Sequence, residues 1–410
     1  MSWKNWWWAG GGRTTAGGTL PASSPQATRL NWLYDLSDGS IQSATFRQFH
    51  TAQSGFTTCR LVYANSYGLS GAPDPITIRA SVETGNFNSD PTGASTTCTR
   101  VTFGGASSKT LAAGETVISD PVTVTVSAAA AYCTRTHVAV ATLGQKWPTC
   151  IPLVAQYSAT ASYPWGYDPG SDKTGGGATT SGAGAASPCS PLAVLGEGAN
   201  PIVVIVGDSI PTGYVENLSV NNPYGWPDWA FGSARSSYGC IRLTVPSMGA
   251  GGWAASPIGV HSLAVVAAVA AKNAICTLGI NDLNNAHVTA ATLQASLQAA
   301  WAALKAAGVT KVFQTTLTPV TTSIDNWSTT LNQVPFADEI TRVAVNTWIR
   351  TTPAGCDGYF DLADVCESAR NSGKWVATGA AFYATADGIH PIGPTLHQPM
   401  GQAIGLGGFV

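Results

Sequence analysis

The chain is poor in charge. Only 10% of its 410 residues are Asp, Glu, Lys or Arg, against roughly 25% in an average soluble domain. Its net charge is −2 and no run of Lys or Arg occurs. A phosphate backbone is neutralised by clustered cations, so the sequence argues against nucleic-acid binding. It also lacks any apolar run of the roughly 18 residues that a membrane-spanning helix needs. The first residues, MSWKNWWWAGGG, lack the apolar core of about 7–15 residues found in signal peptides, so Sec export is not expected from them. Nine cysteines are present, but no CxxC pair and no Cys/His set at zinc spacing, so neither a metal nor another cofactor is expected. Cys356 with Cys366, and Cys133 with Cys150, are close enough in sequence to be disulfides. Buried reduced thiols explain them equally well, and the redox compartment stays open. A surface of neutral polar groups suits an extracellular or virion-associated protein. Trp6, Trp7 and Trp8 read as a plug against the first domain or as an aromatic contact patch.

What is present divides the chain. From about 25 to 165, short runs rich in Thr, Val, Ile and aromatics alternate with Gly, Pro, Asn and Asp: ATFRQFHTA, TTCRLVYANSYG, ITIRASVE, CTRVTFGG, PVTVTVSA and THVAVATL. That spacing is expected of an all-β sandwich, jelly-roll-like, over residues 1–168. Residues 169–195 are dominated by Gly, Ser, Thr and Ala and are expected to be a linker. From 196 to 410 the pattern becomes α/β. PIVVIVGDS, AICTLGIND, TKVFQTTLTPV and DGYFDLADV read as strands, with the helical runs HSLAVVAAVAAK, TAATLQASLQAAWAALKAAG and FADEITRVAVNTWIR between them. A short β-branched run such as IVVIV is expected of a strand buried on both faces of a parallel sheet. Ligands of such sheets bind beyond the carboxyl ends of the strands.

Four clusters of chemistry-bearing residues fall at those ends. Gly207-Asp208-Ser209-Ile210 follows the first strand, where Ser209 is either a helix cap or an exposed nucleophile. Ser247-Met248-Gly249-Ala250-Gly251-Gly252-Trp253 is a glycine-rich turn whose backbone N–H groups can approach a substrate oxygen. Gly279-Ile280-Asn281-Asp282 ends another strand and offers an amide donor. Asp387-Gly388-Ile389-His390-Pro391 places a carboxylate and an imidazole three residues apart, as a serine nucleophile requires of its base and the base's orienting group. Each cluster alone is explained by turn chemistry; their order is what carries the reading.

In that order, Ser, Gly, Asn and Asp-x-x-His, the sequence resembles the SGNH (GDSL-like) hydrolases over about residues 200–410. GDSI matches the first block with Ile for Leu. GIND and DGIHP match the third and last. SMGAGGW departs from the usual second block, which puts the glycine at Gly252 with Gly251 one residue away as the other choice. The resemblance implies a flavodoxin-like three-layer α/β domain with a parallel sheet and a catalytic triad of Ser209, Asp387 and His390. It also implies an oxyanion hole of Ser209, Gly252 and Asn281, with no metal. Asp208 and Asp282 read as structural acids that bind loop N–H groups, and His261, His287 and His397 are left outside the chemistry. Trp253, Tyr214, Asn284 and Ile389 flank the motifs as candidate substrate contacts.

The expected activity is hydrolysis of short-acyl carboxylic esters through an acyl-enzyme, on a small-molecule or polysaccharide ester such as an O-acetylated carbohydrate. The alternatives are a non-catalytic surface or virion binding protein on the same scaffold, and a thioesterase or lysophospholipase. The oligomeric state is not read from the sequence.

Overall fold

A computed structural model describes residues 23–25, 33–68, 71–87, 90, 92–150, 165–181, 188–198, 201–214, 225–231 and 239–410. The tryptophans at 6–8 lie outside the described residues. In the first half, strands Ser43–Thr51, Ala131–Ala139 and Ile76–Thr84 form the centre of one antiparallel sheet. Strands Phe56–Ala64, Val122–Val126, Thr116–Ile118 and Ala193–Glu197 belong to a second. Alternation dictates which side of each strand is covered: VTVTV at 122–126 buries its valines and exposes its threonines. The inward faces of both sheets meet in one apolar cluster that includes Phe46, Ile78, Val138, Phe56, Leu61, Val124 and Val194. Leucine- and valine-sized side chains buried this way contribute about 1.5–3 kcal/mol each.

Described edges of the expected linker pair into the sheets. Trp165–Pro169 pairs with Ser43–Thr51, Thr180–Ser181 pairs with Trp165–Pro169, and Ala193–Glu197 pairs with Phe56–Ala64. Over its described residues the Gly/Ser/Thr composition serves tight connections. Among these, the carbonyls of Lys173 and Gly177 accept hydrogen bonds from the buried Arg135 guanidinium.

The second half holds a five-stranded parallel sheet. Its strands in chain order are Val203–Gly207, Cys240–Thr244, Asn273–Cys276, Lys311–Thr315 and Gly358–Phe360. In space the order is second, first, third, fourth, fifth, the flavodoxin-like 2-1-3-4-5 arrangement. Val203, Val204, Ile205 and Val206 are all 0% exposed, as a strand covered on both faces demands. The principal helices are Pro257–Ala268, Ala290–Ala306, Glu339–Ile349 and Gly393–Ala403.

Two elements differ from the sequence reading. Cys240–Thr244 carries Arg242 at its centre, which disguises a buried strand; Arg242 is covered by an ion pair with Asp228. The run 357–365 is a strand only over 358–360. Asp361 then caps helix Leu362–Cys366 by accepting from the Asp364 N–H. Cys133, Cys356 and Cys366 are free thiols, so the two disulfides envisaged with them do not form. Among the described residues no helix is long and apolar enough to cross a membrane.

Val62, Ala64, Leu192 and Leu195 of the first half belong to the same buried cluster as the parallel sheet. The Tyr67 ring lies 4.8 Å from that of His261 on the Pro257–Ala268 helix.

Candidate active site

Strand order decides where the motifs meet. The Val203–Gly207 strand runs between its neighbours Cys240–Thr244 and Asn273–Cys276. Ser209 therefore leaves the sheet edge between the loop bearing Gly252 and the turn bearing Asn281. This is the switch point at which α/β sheets open a crevice. Gly207 is required for the sharp exit: a Cβ there would stand 2.0 Å from Thr277 Oγ1. Asp208 caps the short turn Ser209–Thr212 by accepting the Ile210 N–H at 2.9 Å.

The last motif arrives from the far end of the chain. Gly388 has φ +79°, and a Cβ on it would meet the Thr321 carbonyl oxygen at 1.8 Å. Its own carbonyl accepts from the Thr321 N–H at 2.9 Å and from Trp375 Nε1 at 3.0 Å. The turn is thereby anchored on both sides, and His390 reaches across to Ser209.

His390 Nε2 lies 2.8 Å from Ser209 Oγ, and His390 Nδ1 lies 2.6 Å from Asp387 Oδ2. The other Asp387 oxygen accepts the backbone N–H groups of Ile389 at 2.9 Å and His390 at 2.8 Å. Burial pushes the Asp387 carboxyl upward, but the hydrogen bonds from the His390 ring, the His390 backbone and the Ile389 backbone outweigh it and hold the group at about 2. A carboxylate so held keeps a proton on Nδ1 and leaves Nε2 to accept the serine proton. Ser209 and His390 retain 7% and 9% exposure.

Three candidate donors lie on the segments that flank this relay in the strand order. Gly252 has φ +70°, and among the described residues nothing occupies its N–H. The Gly251 N–H, by contrast, is taken by Asp282 Oδ1 at 2.7 Å. Of the two glycines, then, Gly252 is the one with a donor to spare. Asn281 uses one amide hydrogen on the Met248 carbonyl at 3.1 Å, and its amide nitrogen carries a second. The Ser209 N–H has no partner among the described residues.

The flanking residues separate. Tyr214 is 48% exposed, with its ring centroid 5.1 Å from that of His390. Ile389 packs partly buried against the core. Asn284 donates to its neighbour Asn285. Trp253 is 2% exposed and packed in the core, so it does not stand open to a substrate beside the nucleophile. Its aromatic bulk next to a glycine-rich turn suggested a pocket wall, but sequence does not distinguish a wall from a core anchor.

The remaining histidines in question are accounted for by packing or exposure. His397 Nδ1 accepts the Trp226 N–H at 3.0 Å, and burial lowers its imidazole to about 3. His287 pairs with Asp338 on the surface at 2.6 Å. His261 lies against Tyr67, and burial lowers its imidazole. Among the described residues no group of three or more His, Cys, Asp or Glu side chains could hold a metal ion.

Residues 205–392 match the model of the GDSL-like Lipase/Acylhydrolase family, so this part of the chain is a GDSL-like acylhydrolase domain. No curated protein matches the chain by sequence. Among solved structures, a putative lipolytic protein of the G-D-S-L family from Desulfitobacterium hafniense is 17% identical, covering 50% of this chain and 97% of that one, with a TM-score of 0.37. A carbohydrate acetylesterase from Sinorhizobium meliloti is 16% identical, covering 50% and 96%, with a TM-score of 0.36. A carbohydrate esterase family 3 protein from Talaromyces cellulolyticus is 20% identical, covering 50% and 94%, with a TM-score of 0.32.

Proposed function

We propose that the GDSL-like domain is a serine esterase that hydrolyses short-acyl carboxylic esters. Ser209 is the nucleophile, His390 the general base and acid, and Asp387 the group that orients His390. The observation that carries this reading is the unbroken chain Ser209 Oγ, His390 Nε2, His390 Nδ1, Asp387 Oδ2, at 2.8 and 2.6 Å.

The steps follow from that geometry. Nε2 takes the hydroxyl proton as Oγ adds to the ester carbonyl, and Asp387 steadies the imidazolium. Charge builds on the former carbonyl oxygen, where the N–H groups of Ser209 and Gly252 and the Asn281 amide are the donors. One such donor is worth about 3 kcal/mol of barrier. His390 returns the proton to the leaving alcohol, and water repeats the sequence on the acyl-enzyme. The small exposure of Ser209 and His390 favours a short acyl group such as acetyl, and an O-acetylated carbohydrate is the substrate class we propose.

The test is a p-nitrophenyl ester series from acetate to long chains with the parent protein and Ser209→Ala. The parent is expected to prefer the shortest esters and the variant to lose activity. Rates rising steadily with chain length would overturn the short-acyl assignment. An undiminished Ser209→Ala would overturn the nucleophile.

A further inference from the structure

We propose that Asp282 is a positioning residue of the oxyanion site, holding the loop that presents the Gly252 N–H; this rests on the reading of Ser209 as nucleophile. Both of its oxygens are committed to that loop. Oδ2 accepts the Ala250 N–H at 2.6 Å and Oδ1 the Gly251 N–H at 2.7 Å. Asn281, its neighbour in the chain, holds the same loop two residues earlier by donating Nδ2 to the Met248 carbonyl at 3.1 Å. Asn281 is in turn steadied by Asn285, whose side chain donates to Asn281 Oδ1 at 3.1 Å. One short helix, Ile280–Asn284, thus grips the glycine loop at Met248, Ala250 and Gly251 and carries an oxyanion donor itself. Gly249 is shaped for this grip, because a Cβ there would stand 2.9 Å from Asp282 Oδ2.

The charge makes the inference sharp. Asp282 is 6% exposed, and among the described residues no cation pairs with it. A carboxylate beside a site where negative charge develops opposes that charge. If electrostatics were its whole contribution, neutralising it would speed the reaction. If its contribution is geometric, neutralising it slows the reaction, because an amide offers one acceptor where two backbone N–H groups need one each. The two possibilities have opposite signs.

The experiment is Asp282→Asn in the full chain, with kcat and KM on p-nitrophenyl acetate and inhibition by a trifluoromethyl ketone. That ketone gives a serine adduct with an oxyanion. Melting curves are recorded alongside. The expected result is a kcat lower by roughly 10–100-fold with KM within about twofold, and inhibitor affinity reduced by the same factor as kcat. An unchanged or raised kcat overturns the proposal, as does a loss that follows the folded fraction and leaves inhibitor affinity intact. Gly249→Ala provides the same test without removing the charge, since its Cβ displaces the carboxylate; it decides the matter if Asp282→Asn does not fold. Ser209→Ala separates the two levels of argument. If it abolishes activity while Asp282→Asn and Gly249→Ala keep the parent kcat, only the positioning role falls. If it keeps activity, the catalytic reading itself falls.

Discussion

Replacing Asp208 with Asn should flatten the pH dependence of stability. The side chain is 0% exposed, one oxygen accepts the Ile210 N–H at 2.9 Å, and the other has no hydrogen-bond partner among the described residues. Burial in this setting raises the carboxyl from 3.8 to about 7, against the smaller opposing pulls of the Ile210 N–H and of His390. Between those values the unfolded chain has released the proton and the folded chain has kept it. Unfolding then becomes easier as pH rises. The stabilisation is fully present below the unfolded value and is lost as pH climbs through about 7. At about 1.4 kcal/mol per unit over the roughly two units from pH 5 to 7, the loss between pH 5 and pH 8 is on the order of 3 kcal/mol. That is a large share of the 5–15 kcal/mol typical of a folded domain. Asn keeps the capping oxygen and has no proton to lose. Urea unfolding of parent and variant at pH 5, 6, 7 and 8 should show the variant's advantage growing with pH, by on the order of 3 kcal/mol between pH 5 and pH 8. A difference between the two proteins that stays constant within about 0.5 kcal/mol across that range would refute the reasoning.

Other predictions concern the relay, its anchor and the first domain. Asp387→Asn should lower kcat by about 10⁴ through loss of the tautomer that leaves Nε2 free, with little change in KM; a loss under about tenfold would remove Asp387 from the orienting role. Gly388→Ala forces a Cβ toward the Thr321 carbonyl at a φ of +79° and should cost about 3 kcal/mol or more in denaturant unfolding, with activity lost in parallel. Glu83 lies between Arg47 and Arg135, with Nε–carboxylate distances of 2.8 Å to each and exposures of 0–1%. Glu83→Gln strands two buried cations, and the unfolding free energy should fall by about 3–5 kcal/mol.

Much of this protein was legible because local pattern and tertiary role coincide. VVIV before Gly207 is buried on both faces, and its apolar run says so without reference to any neighbour. The Ala/Leu-rich helix appears at 290–306, close to its sequence span, with Gly308 just beyond it at a φ of +107°. The elements that escaped are those in which a long-range partner outweighs local preference. Arg242 sits inside a buried strand because Asp228 neutralises it. The helix 393–403 contains Pro399 in its interior, which argues against a helix locally, yet Leu396 and Met400 bury its inner face. The Gly-rich stretch after 168 reads as a tether until its edges are seen hydrogen-bonded into two sheets.

The sequence by itself determined which residues are candidates for the chemistry, because nucleophile, donors and base each need a particular side chain or a glycine at the end of a strand. Which of them come within hydrogen-bond distance was decided by tertiary structure alone. Ser209 and His390 are 181 residues apart in the chain, and no local rule reaches that far. Parallel strand order brings the glycine loop and the Asn281 turn to either side of Ser209. The Gly388 turn, pressed against Thr321, brings His390 back to it. The choice between Gly251 and Gly252 shows the same division. The two have the same side chain and adjoin each other in sequence, and their donors differ because the carboxylate of Asp282 has already taken the N–H of Gly251.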